Sequence, residues 1–165
     1  MRKIAITGAA GRMGRSLIEA LSESSDAQLG GAIESPQSSL IGVDAGELAG
    51  LGRNAICLVS SVDELTEEVD LLIDFSTAAA SAANVAACAR RGLPLVLGTT
   101  GLDAAQLAAV TQSATQIPLC MASNFSTGVN LCFKLAALAA EVLGDEVDVE
   151  IVEAHHRHKV DAPSG

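Results

Sequence analysis

Three short runs in this chain, Lys3-Ile4-Ala5-Ile6-Thr7, Leu71-Leu72-Ile73-Asp74-Phe75 and Leu95-Val96-Leu97, are apolar at nearly every position instead of at every second one. A strand with one wet face alternates. A strand apolar on both sides must be covered on both faces, as in a parallel sheet flanked by helices. Stretches of helical spacing lie between such runs: Arg12 to Leu21, with Met13, Leu17, Ile18 and Leu21 on one stripe, then Ala79 to Arg91 and Asp103 to Ser113. Leu29 to Glu34, Ile56 to Ser60 and Pro118 to Ala122 read as further strands. The repeated strand-helix unit predicts an α/β protein with a Rossmann-like, doubly wound parallel sheet.

Two segments break this rhythm. Ser35 to Asn54 is rich in Gly, Ser and Asp without a sustained period, and it reads as a surface loop with little regular structure. Val129 to Leu143 has the marks of one long helix that ends at Gly144 and bridges two domains. After it, Val147, Val149 and Ile151 alternate with Asp148, Glu150 and Val152, so a second sheet with one open face is expected to begin there.

The charge balance excludes several partners. Ten Lys plus Arg stand against 20 Asp plus Glu, a net charge of −10, which argues against nucleic acid or an anionic membrane surface. No charge falls between Ala104 and Phe133, but Gln106, Gln112, Gln116, Pro118 and Asn124 interrupt that stretch as they would not in a membrane span. Cys57, Cys88, Cys120 and Cys132 are far apart, so neither a zinc site nor a redox pair is suggested, and no metal is expected. Met1 to Thr7 holds no apolar region long enough for export. A soluble cytoplasmic protein is expected.

The chemistry-bearing residues fall where the strands end. Gly8-Ala9-Ala10-Gly11-Arg12-Met13-Gly14 lies between the first strand and the first helix, where glycines let backbone approach a pyrophosphate and helix amides face it. Its spacing is G-x-x-G-x-x-G, not the usual dinucleotide fingerprint, and a plain strand-to-helix turn is the competing reading. Glu34, twenty residues beyond Gly14 at the end of the second strand, stands where a carboxylate accepts from adenosine ribose hydroxyls. Phe75-Ser76-Thr77 and Gly98-Thr99-Thr100-Gly101 follow later strands, and the latter can wrap a nicotinamide or simply cap a helix. In Ala122-Ser123-Asn124-Phe125-Ser126, Asn124 can bond an amide or ribose, or form a turn.

All three histidines lie at His155, His156 and His158, beside Arg157 and Lys159 and ahead of Pro163-Ser164-Gly165. A proton-transfer group beside fixed cations and a turn whose amides can bind a carboxylate suits an anionic substrate. A solvated basic turn is the bland alternative, and the spacing offers no closed metal shell.

Together, G-A-A-G-R-M-G, G-T-T-G at Gly98 to Gly101, S-N-F-S at Ser123 to Ser126 and above all E-A-H-H-R-H-K-V-D-A-P-S-G at Glu153 to Gly165 resemble the dihydrodipicolinate reductase family. The resemblance runs the whole length of the chain. It implies NAD(P)H-dependent reduction of a cyclic unsaturated dicarboxylate in the diaminopimelate and lysine pathway, by a cytoplasmic homotetramer. It also implies residues 1–125 as the dinucleotide-binding domain and 126–165 as the beginning of an α+β substrate and oligomerisation domain. By position, His155 is the catalytic acid/base and Lys159 the proton donor to the ring nitrogen, while His156, Ser164 and Gly165 hold the substrate carboxylates. The cofactor falls to Gly8, Ala9, Ala10, Gly11, Arg12, Met13, Glu34, Phe75, Gly98, Thr99, Thr100, Ala122, Ser123, Asn124 and Phe125.

Two departures qualify the resemblance. Many members carry an arginine right after the acidic residue of the second strand, where it meets the 2′-phosphate of NADPH; here that position is Ser35. With Arg12 still available, NADH is expected to be preferred and NADPH possible. The family's chains also run about a hundred residues further, roughly one domain's worth. The competing functions are a nucleotide-binding module or redox sensor without turnover, and another Rossmann reductase of a small carboxylic substrate.

Overall fold

The computed structural model describes residues 1–65, 68–152, 154 and 157. The chain divides into two units, Met1–Met121 and Ala122–Gly165.

The first unit is a six-stranded parallel sheet. Strands β1 (Arg2–Thr7), β2 (Ala27–Ile33), β3 (Leu58–Val59), β4 (Leu71–Asp74), β5 (Leu95–Leu97) and β6 (Leu119–Met121) are arranged in the order β3-β2-β1-β4-β5-β6. The sheet is therefore doubly wound, and the chain changes direction of growth between β1 and β4, where such sheets open a crevice at their carboxyl ends. Thr7 pairs with Ile33 on one side and Asp74 on the other, so these three residues mark the rim. A register shift between Ile4 and Ala5 passes over Gly30, whose Cβ would stand 2.8 Å from that of Lys3.

Helices cover both faces. Helix α1 (Arg12–Ser22) lays Ile18 and Leu17 on Ile6, Ala32 and Leu58. On the other face α3 (Ala78–Arg91) and α4 (Ala104–Ser113) bring Val85, Cys88 and Val110 onto Leu72, Leu95 and Leu97. Burying a side chain such as Leu72 contributes about 1.5–3 kcal/mol, so a core without Trp or Tyr is held by many such residues.

The segment read as a loop contains a short helix, α2 (Ala45–Leu48). Four residues are too few to show periodicity, and the organising group is a single buried carboxylate. Asp44 Oδ1 accepts from the amides of Gly46 (2.9 Å), Glu47 (3.1 Å) and Asn54 (3.1 Å), and Oδ2 from that of Ala55 (2.8 Å). Ala55 is held at φ 64°, the one non-glycine in the left-handed region among the described residues. Burial pushes the Asp44 pKa up, but the four amides outweigh it and hold the carboxyl below its ordinary value. A carboxyl depressed in the folded state stabilises above its unfolded pKa and loses that contribution as pH falls through the folded value. Asp44→Asn is therefore expected to lower the urea midpoint at pH 7 and to converge on the parent protein below about pH 4; a gap unchanged between pH 7 and 3 would contradict this.

The second unit contains helix α5 (Thr127–Leu143), started by Ser126, whose Oγ accepts from the Val129 amide at 3.3 Å, and ended at Gly144 with φ 55°. Leu131, Phe133, Leu135, Leu138 and Val142 on it are exposed. By length and hydropathy alone, Thr127–Glu146 is long enough to cross a membrane. The strand expected over 147–152 is not formed: a strand is defined by its ladder, and no strand among the described residues pairs with this segment, where Ile151 is 82% exposed.

Candidate functional site

Gly8 sits at φ 67°, and a Cβ there would stand 2.6 Å from the carbonyl oxygen of Phe75. The chain then folds back on itself: the Gly11 amide donates to the Gly8 carbonyl at 2.9 Å and the Ala9 amide to that of Ile33 at 3.1 Å. Gly14 packs so tightly under this turn that its Cβ would lie 2.2 Å from the Gly8 oxygen. Arg15 Nε donates to the Ala10 carbonyl at 3.0 Å and clamps the turn from outside.

Helix α1 begins at Gly11 with no side-chain cap, whereas Asp44, Thr77, Asp103 and Ser126 cap the other α-helices. Among the described residues, its first-turn amides at Arg12 and Met13 have no side-chain acceptor. A phosphate supplies that acceptor, and the helix dipole favours its charge.

Half-buried Glu34 is fixed at the end of β2 by two amides, Ala10 donating to Oε2 and Ser35 to Oε1, both at 2.9 Å. Beside it opens a cavity of about 670 Å³ lined by Thr7, Gly8, Glu34, Ser61, Phe75 and Asn84, among others. Thr7 Oγ1 is buried and has no partner among the described residues, a donor that a ligand or water in this cavity would satisfy. A second cavity, of about 690 Å³, lies beside Leu21, Ala27 and Arg53 and touches none of these residues.

The Phe75 ring packs against Gly98, where a Cβ would meet ring carbons at 2.2 and 2.3 Å. Thr99, 8% exposed, accepts at Oγ1 from the Ser76 amide at 3.0 Å, while Thr100 is exposed. Gly8, Ala9, Ala10, Gly11, Arg12, Met13, Glu34, Phe75, Gly98, Thr99 and Thr100 thus all belong to the carboxyl end of one sheet. A dinucleotide fits them: glycines where a Cβ would collide, open amides for a pyrophosphate, and a fixed carboxylate for a ribose.

Ala122, Ser123, Asn124 and Phe125 open the second unit. Asn124 Oδ1 accepts from the Ser126 amide at 2.6 Å, the turn-forming use that its residue type allowed. Asn130 Nδ2 ties the same turn to α5 through the carbonyls of Asn124 (3.1 Å) and Ser126 (2.9 Å). His155, His156, Lys159, Ser164 and Gly165 lie outside the described residues.

The sequence reading passed over Thr7 and Asp74 at the rim. The available signal for Asp74 was a carboxylate ending an otherwise apolar strand, a charge that burial tolerates only with partners.

Residues 2–125 match the family model described as dihydrodipicolinate reductase, N-terminus, and residues 128–165 the one described as dihydrodipicolinate reductase, C-terminus. The chain is 55% identical over 163 residues to 4-hydroxy-tetrahydrodipicolinate reductase of Saccharophagus degradans, and equally so to that of Alkalilimnicola ehrlichii. Each match covers 99% of this chain and 61% of the relative, so the chain spans about three fifths of these proteins' length. Among solved structures, dipicolinate-bound dihydrodipicolinate reductase from a Paenisporosarcina species aligns with a TM-score of 0.76 at 27% identity. That alignment covers the whole of this chain and 62% of the other.

Proposed function

Since the chain belongs to the dihydrodipicolinate reductase family, we propose that the whole protein reduces 4-hydroxy-tetrahydrodipicolinate to tetrahydrodipicolinate in lysine and diaminopimelate biosynthesis, the 4-hydroxyl leaving as water before the unsaturated ring takes up the hydride. The observation that carries the cofactor half of this reading is the uncapped start of α1 beside a carboxylate pinned at the end of β2. A reduced nicotinamide bound here supplies the hydride. The Gly98 to Gly101 loop holds its ring, the turn from Gly8 to Met13 takes the pyrophosphate, and Glu34 takes the adenosine ribose. Ala122, Ser123, Asn124 and Phe125 complete the nicotinamide end. His156, Ser164 and Gly165 bind the substrate carboxylates, Lys159 delivers the proton to the ring nitrogen, and His155 acts as acid/base.

The cofactor is NADH by preference, with NADPH accepted. Two amides fix the Glu34 carboxylate at the end of β2, where its charge would oppose a 2′-phosphate on the ribose it binds, and Ser35 brings no compensating cation. Matched steady-state kinetics are expected to give a higher kcat/KM with NADH. Ser35→Arg is expected to move the NADPH-to-NADH ratio upward by about tenfold, worth about 1.4 kcal/mol. A parent protein that prefers NADPH contradicts the assignment.

A nucleotide-binding module or redox sensor without turnover is the less favoured reading, because residues 128–165 also match the family's C-terminal model. The exposed apolar residues of α5 support a homotetramer over a membrane span, because Lys134 and Glu141 lie within the same helix. A cytoplasmic location follows from the same reading.

A further inference from the structure

Asp74 is the last residue of β4, and its side chain is fully enclosed. Enclosing a carboxylate is costly unless its oxygens are met by donors. Here four donors converge on it from three different segments. Ser76 gives its amide at 2.9 Å and its hydroxyl at 2.6 Å to Oδ1, Thr99 gives its hydroxyl to the same oxygen at 3.2 Å, and Asn84 Nδ2 donates to Oδ2 at 3.0 Å. The backbone adds a fifth link, with the Gly98 amide donating to the Asp74 carbonyl at 2.9 Å.

The consequence is geometric. Ser76 belongs to the loop after β4, Thr99 to the loop after β5, and Asn84 to α3. Thr99 Oγ1 in turn accepts the Ser76 amide, closing a three-membered ring of hydrogen bonds around one carboxylate oxygen. The Phe75 ring occupies the space over Gly98, and the Phe75 carbonyl abuts Gly8. Without the carboxylate, Thr99 keeps only its bond from the Ser76 amide, and Ser76 reaches α3 only through a long 3.4 Å contact between its hydroxyl and that of Ser81.

We propose that Asp74 is a positioning residue: by holding Ser76 and Thr99 together it sets the orientation of the Gly98 to Gly101 loop toward the nicotinamide end of the cofactor. The proposal rests on the dinucleotide reading of the site given above. Asp74 itself touches no reacting atom, since its oxygens face Ser76, Asn84 and Thr99. Removing the side chain takes from Ser76 and Thr99 the acceptor they share and so loosens the nicotinamide loop, while the turn at Gly8 to Gly14 and Glu34, to which the Asp74 carboxylate makes no bond, keep their own hydrogen bonds.

The test compares two ligands that differ only at that end. Isothermal titration of the whole protein with NADH and with ADP-ribose, which lacks the nicotinamide, reads the loop separately from the adenosine half. Asp74→Ala is expected to weaken NADH about tenfold and ADP-ribose by less than about twofold. Asp74→Asn keeps an oxygen for Ser76 and Thr99, and the Asn84 amide can turn its carbonyl toward the new donor, so NADH affinity is expected to stay within about threefold of the parent. If Asp74→Ala does not fold, Thr99→Val cuts the same link with a side chain of equal shape and is expected to give the same split. Equal weakening of both ligands, no weakening of either, or an Asn variant no better than the Ala variant overturns the positioning role. A parent protein that binds neither ligand overturns the dinucleotide reading instead, and this inference with it.

Discussion

In the whole protein, His155→Ala is expected to lower kcat about a thousandfold while changing the dissociation constant of NADH by less than about twofold. Cofactor binding and proton transfer are separable tasks in this chain. Among the described residues, the candidate cofactor groups lie on the first unit's sheet and at the start of the second, and none is in the basic tail. A group that moves a proton in the transition state is missed only there, so its loss reduces turnover and spares cofactor binding. Lys159→Ala is expected to act the same way through the proton to the ring nitrogen, with the added loss of a cation near the substrate carboxylates. Stopped-flow turnover and fluorescence titration of NADH on the same preparations check both. Turnover that survives either substitution, or NADH binding that fails together with it, would favour a binding module whose tail has no chemical task.

The second large effect is expected at Gly14. A methyl there would lie 2.2 Å from the Gly8 oxygen, 2.6 Å from Ala9 Cα and 2.7 Å from the Ala9 oxygen. All three are backbone atoms of the turn itself, so no side chain can swing aside to make room. Gly14→Ala is expected to cost about 3 kcal/mol, the upper part of the usual range for overpacking, and to abolish measurable NADH binding because the turn must open to admit the methyl. Gly128→Ala is the contrast within α5: among the described residues its Cβ would meet only Ser126 Oγ, at 3.9 Å, and the first turn gains part of the roughly 0.8–1 kcal/mol by which Ala exceeds Gly in a helix interior. Thermal unfolding of the two variants is expected to move Tm in opposite directions. A Gly14→Ala protein that melts with the parent would show that the turn does not need its glycine.

What could be read from the sequence was what local chemistry dictates. The run Leu71 to Phe75, apolar except at Asp74, requires cover on both faces, and it lies between β1 and β5 in the sheet, with residues of α3 and α4 in the core on one of those faces. The parallel order of six strands follows the same logic. The place of Glu34 at the end of β2 was legible from the strand pattern, and its task toward a ribose belongs to the proposed function. Interactions between distant segments were not legible. Asp44 organises amides ten and eleven positions away, and Asp74 gathers partners at 76, 84 and 99; neither spacing repeats, so no periodicity reveals it. The alternation over 147–152 failed for a related reason, since a pattern of side chains specifies a face but a strand needs a partner to bond.

The measurement that tests the central claim most directly is optical. The whole protein is supplied with its dicarboxylate, generated in situ by dihydrodipicolinate synthase from pyruvate and aspartate semialdehyde, and the loss of NADH is followed. The account predicts oxidation that depends on the synthase and both precursors and that disappears in His155→Ala. A folded protein that binds NADH yet leaves it unoxidised when the dicarboxylate is present would contradict it.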